Sequence, residues 1–205
     1  PYWSPRPVPR FRADESEGKR LESQSTWIIV PLDGTTNFVP GYPFCAVSIA
    51  LFKDVLPLVA VVADVVHEQI YSAVLGEGAY RTEEKIFVTE TSTLEKALLA
   101  TGFPYIHNEI WQRNIELFRE FTDRCQGVRR AGAAALDLCH VACGWLDGFW
   151  EHGLQPWDSA AGILIVDEAG GKITQNDGSQ FSIFHDNIVA SNGVLHEEML
   201  AVINY

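Results

Sequence analysis

Between Cys45 and Leu75 the chain carries three apolar runs separated by breaks of only a few residues: Cys45 to Phe52, Val55 to Ala63 and Gln69 to Leu75. A parallel pair of strands needs a crossover of a dozen residues or more, so neighbours this close can pair only as antiparallel hairpins. Lys53-Asp54 and Gly76-Glu77-Gly78 supply the loop punctuation such hairpins use. Another β segment precedes them, Trp27-Ile28-Ile29-Val30, read as a buried strand that Pro31 is expected to stop. A turn, Asp33-Gly34-Thr35-Thr36-Asn37, follows at once.

The second half of the chain changes period. Glu109 to Cys125 reads as an amphipathic helix with Trp111, Ile115, Phe118 and Cys125 on its apolar stripe and Leu117 and Phe121 beside it. Arg113, Glu116, Arg119, Glu120, Asp123 and Arg124 take the wet side. Gly132-Ala133-Ala134-Ala135-Leu136 opens a second helix that ends near Gly144. A third is expected to begin at Asp158 and run to about Glu168, closed by Gly170-Gly171. Lys172 to Thr174 and Ile188 to Ala190 read as strands, and Leu195 to Ile203 as a final helix. The class is mixed α and β, with helices on largely antiparallel sheet. One domain over residues 11–205 is expected, after an extended arm over residues 1–10 in which four of the ten prolines crowd the first nine positions.

Charge narrows the partners. The 205 residues include 27 acidic and 15 basic ones, a net charge of −12. Such a surface repels nucleic acid and anionic lipid, and no Lys/Arg stripe offsets it. Neither a membrane-length apolar window nor the basic-then-apolar order of a signal peptide is present in these residues. Cys45, Cys125, Cys139 and Cys143 form no CxxC pair. Cys139 and Cys143 with His140 between them could hold a metal, but buried thiols are the better reading, and a reducing cytoplasm the expected compartment. An anionic small-molecule partner would require divalent cations to neutralise the pocket.

Two short stretches carry chemistry. In Leu32-Asp33-Gly34-Thr35-Thr36-Asn37-Phe38 a carboxylate follows a strand, then a glycine, then hydroxyls at a helix start. Backbone N–H groups there suit a phosphate and the carboxylate suits a hard cation, although a plain capped turn would look the same. In Gln155-Pro156-Trp157-Asp158-Ser159-Ala160-Ala161-Gly162, Asp158 could be only an N-cap worth about 1 kcal/mol. Together, however, the two stretches offer two oxygen ligands placed at rigid element ends, which is what magnesium selects.

Trp27 to Phe38 resembles the first signature of the inositol monophosphatase family, and Trp157-Asp158-Ser159-Ala160-Ala161-Gly162 through Glu168-Ala169-Gly170-Gly171 resembles the second. Gly132 to Leu138 and Asp147-Gly148-Phe149-Trp150-Glu151 match in order and spacing between them. The resemblance covers roughly residues 11 to 203. It implies a layered αβαβα sandwich, a homodimer, and hydrolysis of a small-molecule phosphate monoester by a magnesium-activated water. By it Asp33 and Asp158 would hold the second metal and the Leu32 carbonyl the first, with Asp14 as a further ligand. Thr35 would orient the water, the backbone at Gly34 and Thr35 would hold the phosphate, Gly132 and Ala133 would belong to the substrate and phosphate site, and Glu151 would accept hydrogen bonds from substrate hydroxyls.

The chain departs from that pattern at four points. The family has Asp-Pro-(Leu/Ile)-Asp-Gly-Thr, and here the first Asp is Val30, which supplies no ligand atom. Its Gly-Glu-Glu motif is Ala13-Asp14-Glu15, and Ala133 stands where relatives commonly carry a hydroxyl. The family's first helices have no counterpart in these residues. The first metal is therefore expected to be weakened more than phosphate binding. Inositol phosphate is the expected substrate class. Histidinol phosphate, a nucleotide 3′-phosphate, or a catalytically impaired binding subunit are the alternatives. His152 is expected to stand behind or outside the substrate pocket, and Arg129-Arg130 to be a solvated turn rather than an anion guide.

Overall fold

The computed structural model describes residues 10–13 and 25–205. The hairpin run becomes one seven-stranded sheet: β1 (Arg10–Ala13), β2 (Ser25–Asp33), β3 (Ala46–Lys53), β4 (Leu56–Asp64), β5 (Gln69–Val74), β6 (Gly78–Arg81) and β7 (Glu84–Lys85), in sequence order. Every pairing is antiparallel except β1 on β2. The second sheet comes from the later half, in the order β11 (Lys172–Thr174), β12 (Asn187–Ser191), β10 (Gly148–His152), β8 (Leu98–Thr101), β9 (Gly127–Arg129). It is mixed: β8 runs parallel to both β10 and β9. The helices are α1 (Thr35–Phe38), α2 (Glu109–Thr122), α3 (Ala134–Ala142), α4 (Pro156–Glu168) and α5 (His196–Ile203).

Helices α3 and α4 fill the space between the two sheets. Helix α4 packs on the first sheet, while α3 touches both sheets and α4. That placement explains why α4 has almost no polar face: Ala160, Ala161, Leu164, Ile165 and Val166 are all buried. Beyond the second sheet a smaller core joins α2 and α5 through Leu99, Leu117, Phe121, Trp150, Val189 and Met199. The described residues thus form four alternating layers, β, α, β, α, and the outermost helical layer of the expected sandwich is not among them. Glu168 at the end of α4 ties the helix to the first sheet, its Oε1 accepting from the Gly76 N–H at 2.6 Å and Oε2 from the Gly78 N–H at 2.7 Å.

Several local expectations are corrected. Pro31 does not stop β2: the strand continues to Asp33 through an irregularity in which Val30 faces Ser48 and Asp33 faces Ala46. One extra residue is accommodated there, a β-bulge, which returns Asp33 to the face that Ile28 and Val30 bury. The buried stripe of α2 is Asn114, Leu117 and Phe121. Ile115 is exposed and Trp111 and Phe118 only half-buried, because the second sheet meets the helix about one residue further round than the apolar spacing alone suggests. Helix α4 starts at Pro156, so Asp158 is its third residue and not its cap. Arg10–Ala13, read as arm and polar stretch, pair as an edge strand.

Candidate active site

The β2 bulge delivers Asp33 into a tight corner. Gly34 follows with φ +80°, a left-handed conformation that glycine adopts without strain, and a Cβ there would come within 2.8 Å of the Phe44 carbonyl. The single turn α1 then begins, with the Asn37 and Phe38 N–H groups both donating to the Gly34 carbonyl. Asn37 locks this corner to the segment before α3, its Nδ2 donating to the Phe44 and Ala131 carbonyls at 2.8 Å each. Asp33 Oδ2 accepts from the Ala135 N–H at 2.9 Å, and the two regions close on each other.

Asp158 arrives from the other side of the same depression. Its Oδ2 accepts from the Gln155 N–H at 2.8 Å, which holds the carboxylate at the start of α4. Glu151 comes from the end of β10, and its carboxyl lies directly over Gly102. A Cβ on Gly102 would sit 2.1 Å from Glu151 Oε2, so only the bare backbone leaves room for it. Further anchors steady that neighbourhood: Thr101 Oγ1 donates to the Trp150 carbonyl at 2.7 Å and Asn114 Nδ2 to the Gly102 carbonyl at 3.3 Å.

The result is a trench with two compartments. The inner one is lined by Asp33, Thr36, Arg130, Gly132, Ala133, Asp137, Glu151 and Asp158, among others. The outer one, about 550 Å³, includes Val30, Leu32, Gly34, Thr35 and Trp157 and shares Asp33, Glu151 and Asp158. In the inner compartment four carboxyl groups therefore face one guanidinium. Burial, and then the neighbouring Asp33, push the Asp137 carboxyl well above the usual carboxylate range. Burial followed by Asp158, Asp137 and Asp33 do the same to Glu151. Val30 is 3% exposed and contributes only hydrocarbon at the head of the trench.

The profile of the inositol monophosphatase family matches residues 8–204. The chain belongs to the inositol monophosphatase family. Among its relatives, the chloroplastic phosphatase IMPL1 of Arabidopsis thaliana is 50% identical over 184 residues, covering 87% of this chain and 50% of that protein. The Nus factor SuhB of Pseudomonas aeruginosa is 43% identical over 190 residues, covering 91% and 70%. The inositol monophosphatase structure from Anabaena superposes with a TM-score of 0.87 at 40% identity, covering 97% of this chain and 79% of that one. The chain thus spans half the length of the Arabidopsis relative it matches.

Within this family member, the trench brings together Leu32, Asp33, Gly34, Thr35 and Asp158 from the two motifs with Gly132, Ala133 and Glu151, which the family resemblance added. Asp14 lies outside the described residues. Arg130, read as part of a solvated turn, is exposed and also lines the inner compartment, as does Asp137, to which neither motif assigned a role. No local signal marks either one. Both are drawn in by the corner that Asn37 and Asp33 form with the 131–135 segment. His152 lies behind the trench, its Nδ1 paired with Asn114 Oδ1 at 2.7 Å and its Nε2 against Asn176. The Cys139 thiol is fully buried and burial raises it, and no group of three His, Cys, Asp or Glu residues suited to a metal occurs among the described residues.

Proposed function

We propose that the trench binds phosphate monoesters of polyols, inositol monophosphate foremost, and hydrolyses them slowly with the help of a divalent cation. The observation that carries this reading is the convergence of Asp33, Glu151 and Asp158, from three separate elements, on one pocket beside the open start of α1. In it the ester's phosphate lies at the Gly34–Thr35 corner, where the first N–H groups of a helix have no carbonyl partner within the helix. Glu151 accepts from hydroxyls of the leaving group, its carboxyl seated on Gly102. Arg130 meets the remaining negative charge from the wall opposite.

The residues fit one magnesium ion and not a bridged pair. Asp33 and Asp158 each have one oxygen held by a backbone N–H and face an acidic pocket that a cation would neutralise. Magnesium is commonly held by one or two carboxylates together with substrate phosphate oxygens and water. Position 30, where the family pattern places a bridging carboxylate, offers only valine. When bound, the cation would offset charge repulsion between pocket and phosphate and activate water. A homodimer belongs to the same proposal through the family resemblance.

Inositol 1-phosphate with and without magnesium, on the protein and on Asp158→Asn, tests the reading. Slow, magnesium-dependent phosphate release that disappears in the variant supports it. Absence of both release and magnesium-dependent ester binding refutes it. Tight ester binding without release would favour the second reading, a binding subunit, which Val30 itself motivates.

A further inference from the structure

The segment joining β8 to α2 reaches over the trench. Its base is fixed: Gly102 lies under the Glu151 carboxyl and is bonded to Asn114, and a Cβ on Gly153 would meet the Pro104 ring edge at 3.0 Å. Its tip is largely exposed at Tyr105 and Ile106, while His107 just beyond them stacks on Trp111. Tyr105 is 80% exposed, yet it lines both compartments of the trench. Its hydroxyl takes a hydrogen bond from Thr36 Oγ1, at 3.4 Å, on α1 across the site. The hydroxyl end of the ring thus touches α1 through one long contact, while its face stays open to solvent.

The inner compartment beside that ring is two-sided in its chemistry. Phe103, Tyr105 and Leu154 supply apolar surface, while Arg130, Asp137 and Glu151 supply donors and acceptors. A cyclic polyol has the matching character, with C–H bonds exposed on its ring face and hydroxyls around its rim. An open-chain polyol presents no such face. The face of an aromatic ring is its negative side, which suits C–H bonds laid against it.

We infer that Tyr105 is a specificity-determining residue of this site, its exposed ring being the surface on which the ring of a cyclic polyol phosphate lies. The inference rests on the phosphate-ester reading of the trench. It ranks esters of ring-shaped polyols above open-chain esters carrying the same phosphate.

Calorimetric titration in magnesium buffer tests it with three probes: inorganic phosphate, glycerol 2-phosphate and inositol 1-phosphate. Each is titrated into the protein, Tyr105→Phe and Tyr105→Ala. Tyr105 is so exposed that neither variant should disturb folding, which circular dichroism checks. The expected result is an affinity for inositol 1-phosphate that falls about three- to tenfold in Tyr105→Ala and stays within about twofold in Tyr105→Phe. Affinities for phosphate and glycerol 2-phosphate stay within about twofold in both variants. An equal loss for all three probes in Tyr105→Ala, or no loss for any, overturns the assignment while leaving the phosphate-ester reading intact. If inorganic phosphate and both esters fail to bind the unaltered protein, the phosphate-ester reading fails and this assignment with it.

Discussion

The backbone N–H of Ala135 donates to Asp33 Oδ2 at 2.9 Å, so a carboxylate at the end of β2 is held by the start of a helix 102 residues further along. One oxygen of Asp33 is thereby spent on structure. Replacing Asp33 should accordingly have two separable effects. Asp33→Ala leaves the Ala135 N–H without its acceptor and should lower stability by about 1–3 kcal/mol, whereas Asp33→Asn keeps an acceptor and should lose clearly less. Both should lose magnesium-dependent phosphate binding. Urea unfolding alongside calorimetry checks the pair; equal stability of the two variants would count against the assigned bond.

Val30 is the second test. A carboxylate placed at this nearly buried position lacks a counter-charge unless a cation is present. Val30→Asp should therefore melt at lower temperature in chelator and recover much of the difference on adding magnesium. Its rate of phosphate release from inositol 1-phosphate should rise by about two orders of magnitude, equivalent to about 3 kcal/mol in the barrier. A melting temperature indifferent to magnesium would show that position 30 does not reach the cation.

Gly102 gives a third. Gly102→Ala would drive a methyl group into the Glu151 carboxyl, which must then move off its seat. Contacts with the leaving group should weaken and those with phosphate should not. The expected signature is an affinity for inositol 1-phosphate reduced about tenfold, the scale of one or two lost hydrogen bonds, beside nearly unchanged affinity for inorganic phosphate. Parallel titrations of the two anions decide it.

Stability should fall on mild acidification. Burial lowers His140 and His196 to about 4 each, against 6.5 for a free histidine. His140 lies between the rings of Phe44 and Trp145, and its Nε2 has no partner. His196 is fully buried, with Thr174 Oγ1 at 2.8 Å and Ser191 Oγ at 2.9 Å on its two nitrogens. Because the unfolded chain takes up protons first, their contribution is complete above pH 6.5 and declines as pH drops toward 4. Each should remove about 2 kcal/mol between pH 7 and pH 5. Denaturant midpoints across that range measure the total, and His140→Phe should shrink the slope. An unchanged slope in that variant would refute its share.

Much of this molecule was legible in local pattern. The hairpin spacing between Cys45 and Leu75 dictated an antiparallel sheet, because no crossover fits in such short breaks, and α2, α3, α4 and α5 overlap the segments that apolar spacing and glycine stops marked, with ends shifted by a few residues. The two carboxylate motifs were likewise readable, since each is a short stretch whose chemistry depends on adjacent residues. The family resemblance carried Glu151 and the 132–133 backbone to the same place.

What spacing could not reveal was which side of an element meets the rest of the chain. The buried face of α2 depends on where the second sheet contacts it, and the continuation of β2 past Pro31 depends on a bulge that its partner β3 tolerates. Arg130 and Asp137 enter the trench only because Asn37 and Asp33 bond to the 131–135 segment. Tyr105 reaches it only because Gly102 sits against Glu151 of β10 and Pro104 against Gly153 just beyond that strand. Local propensities act over a few residues and are written in the sequence, whereas these contacts join positions many tens of residues apart and exist only once both sheets have closed around α3 and α4.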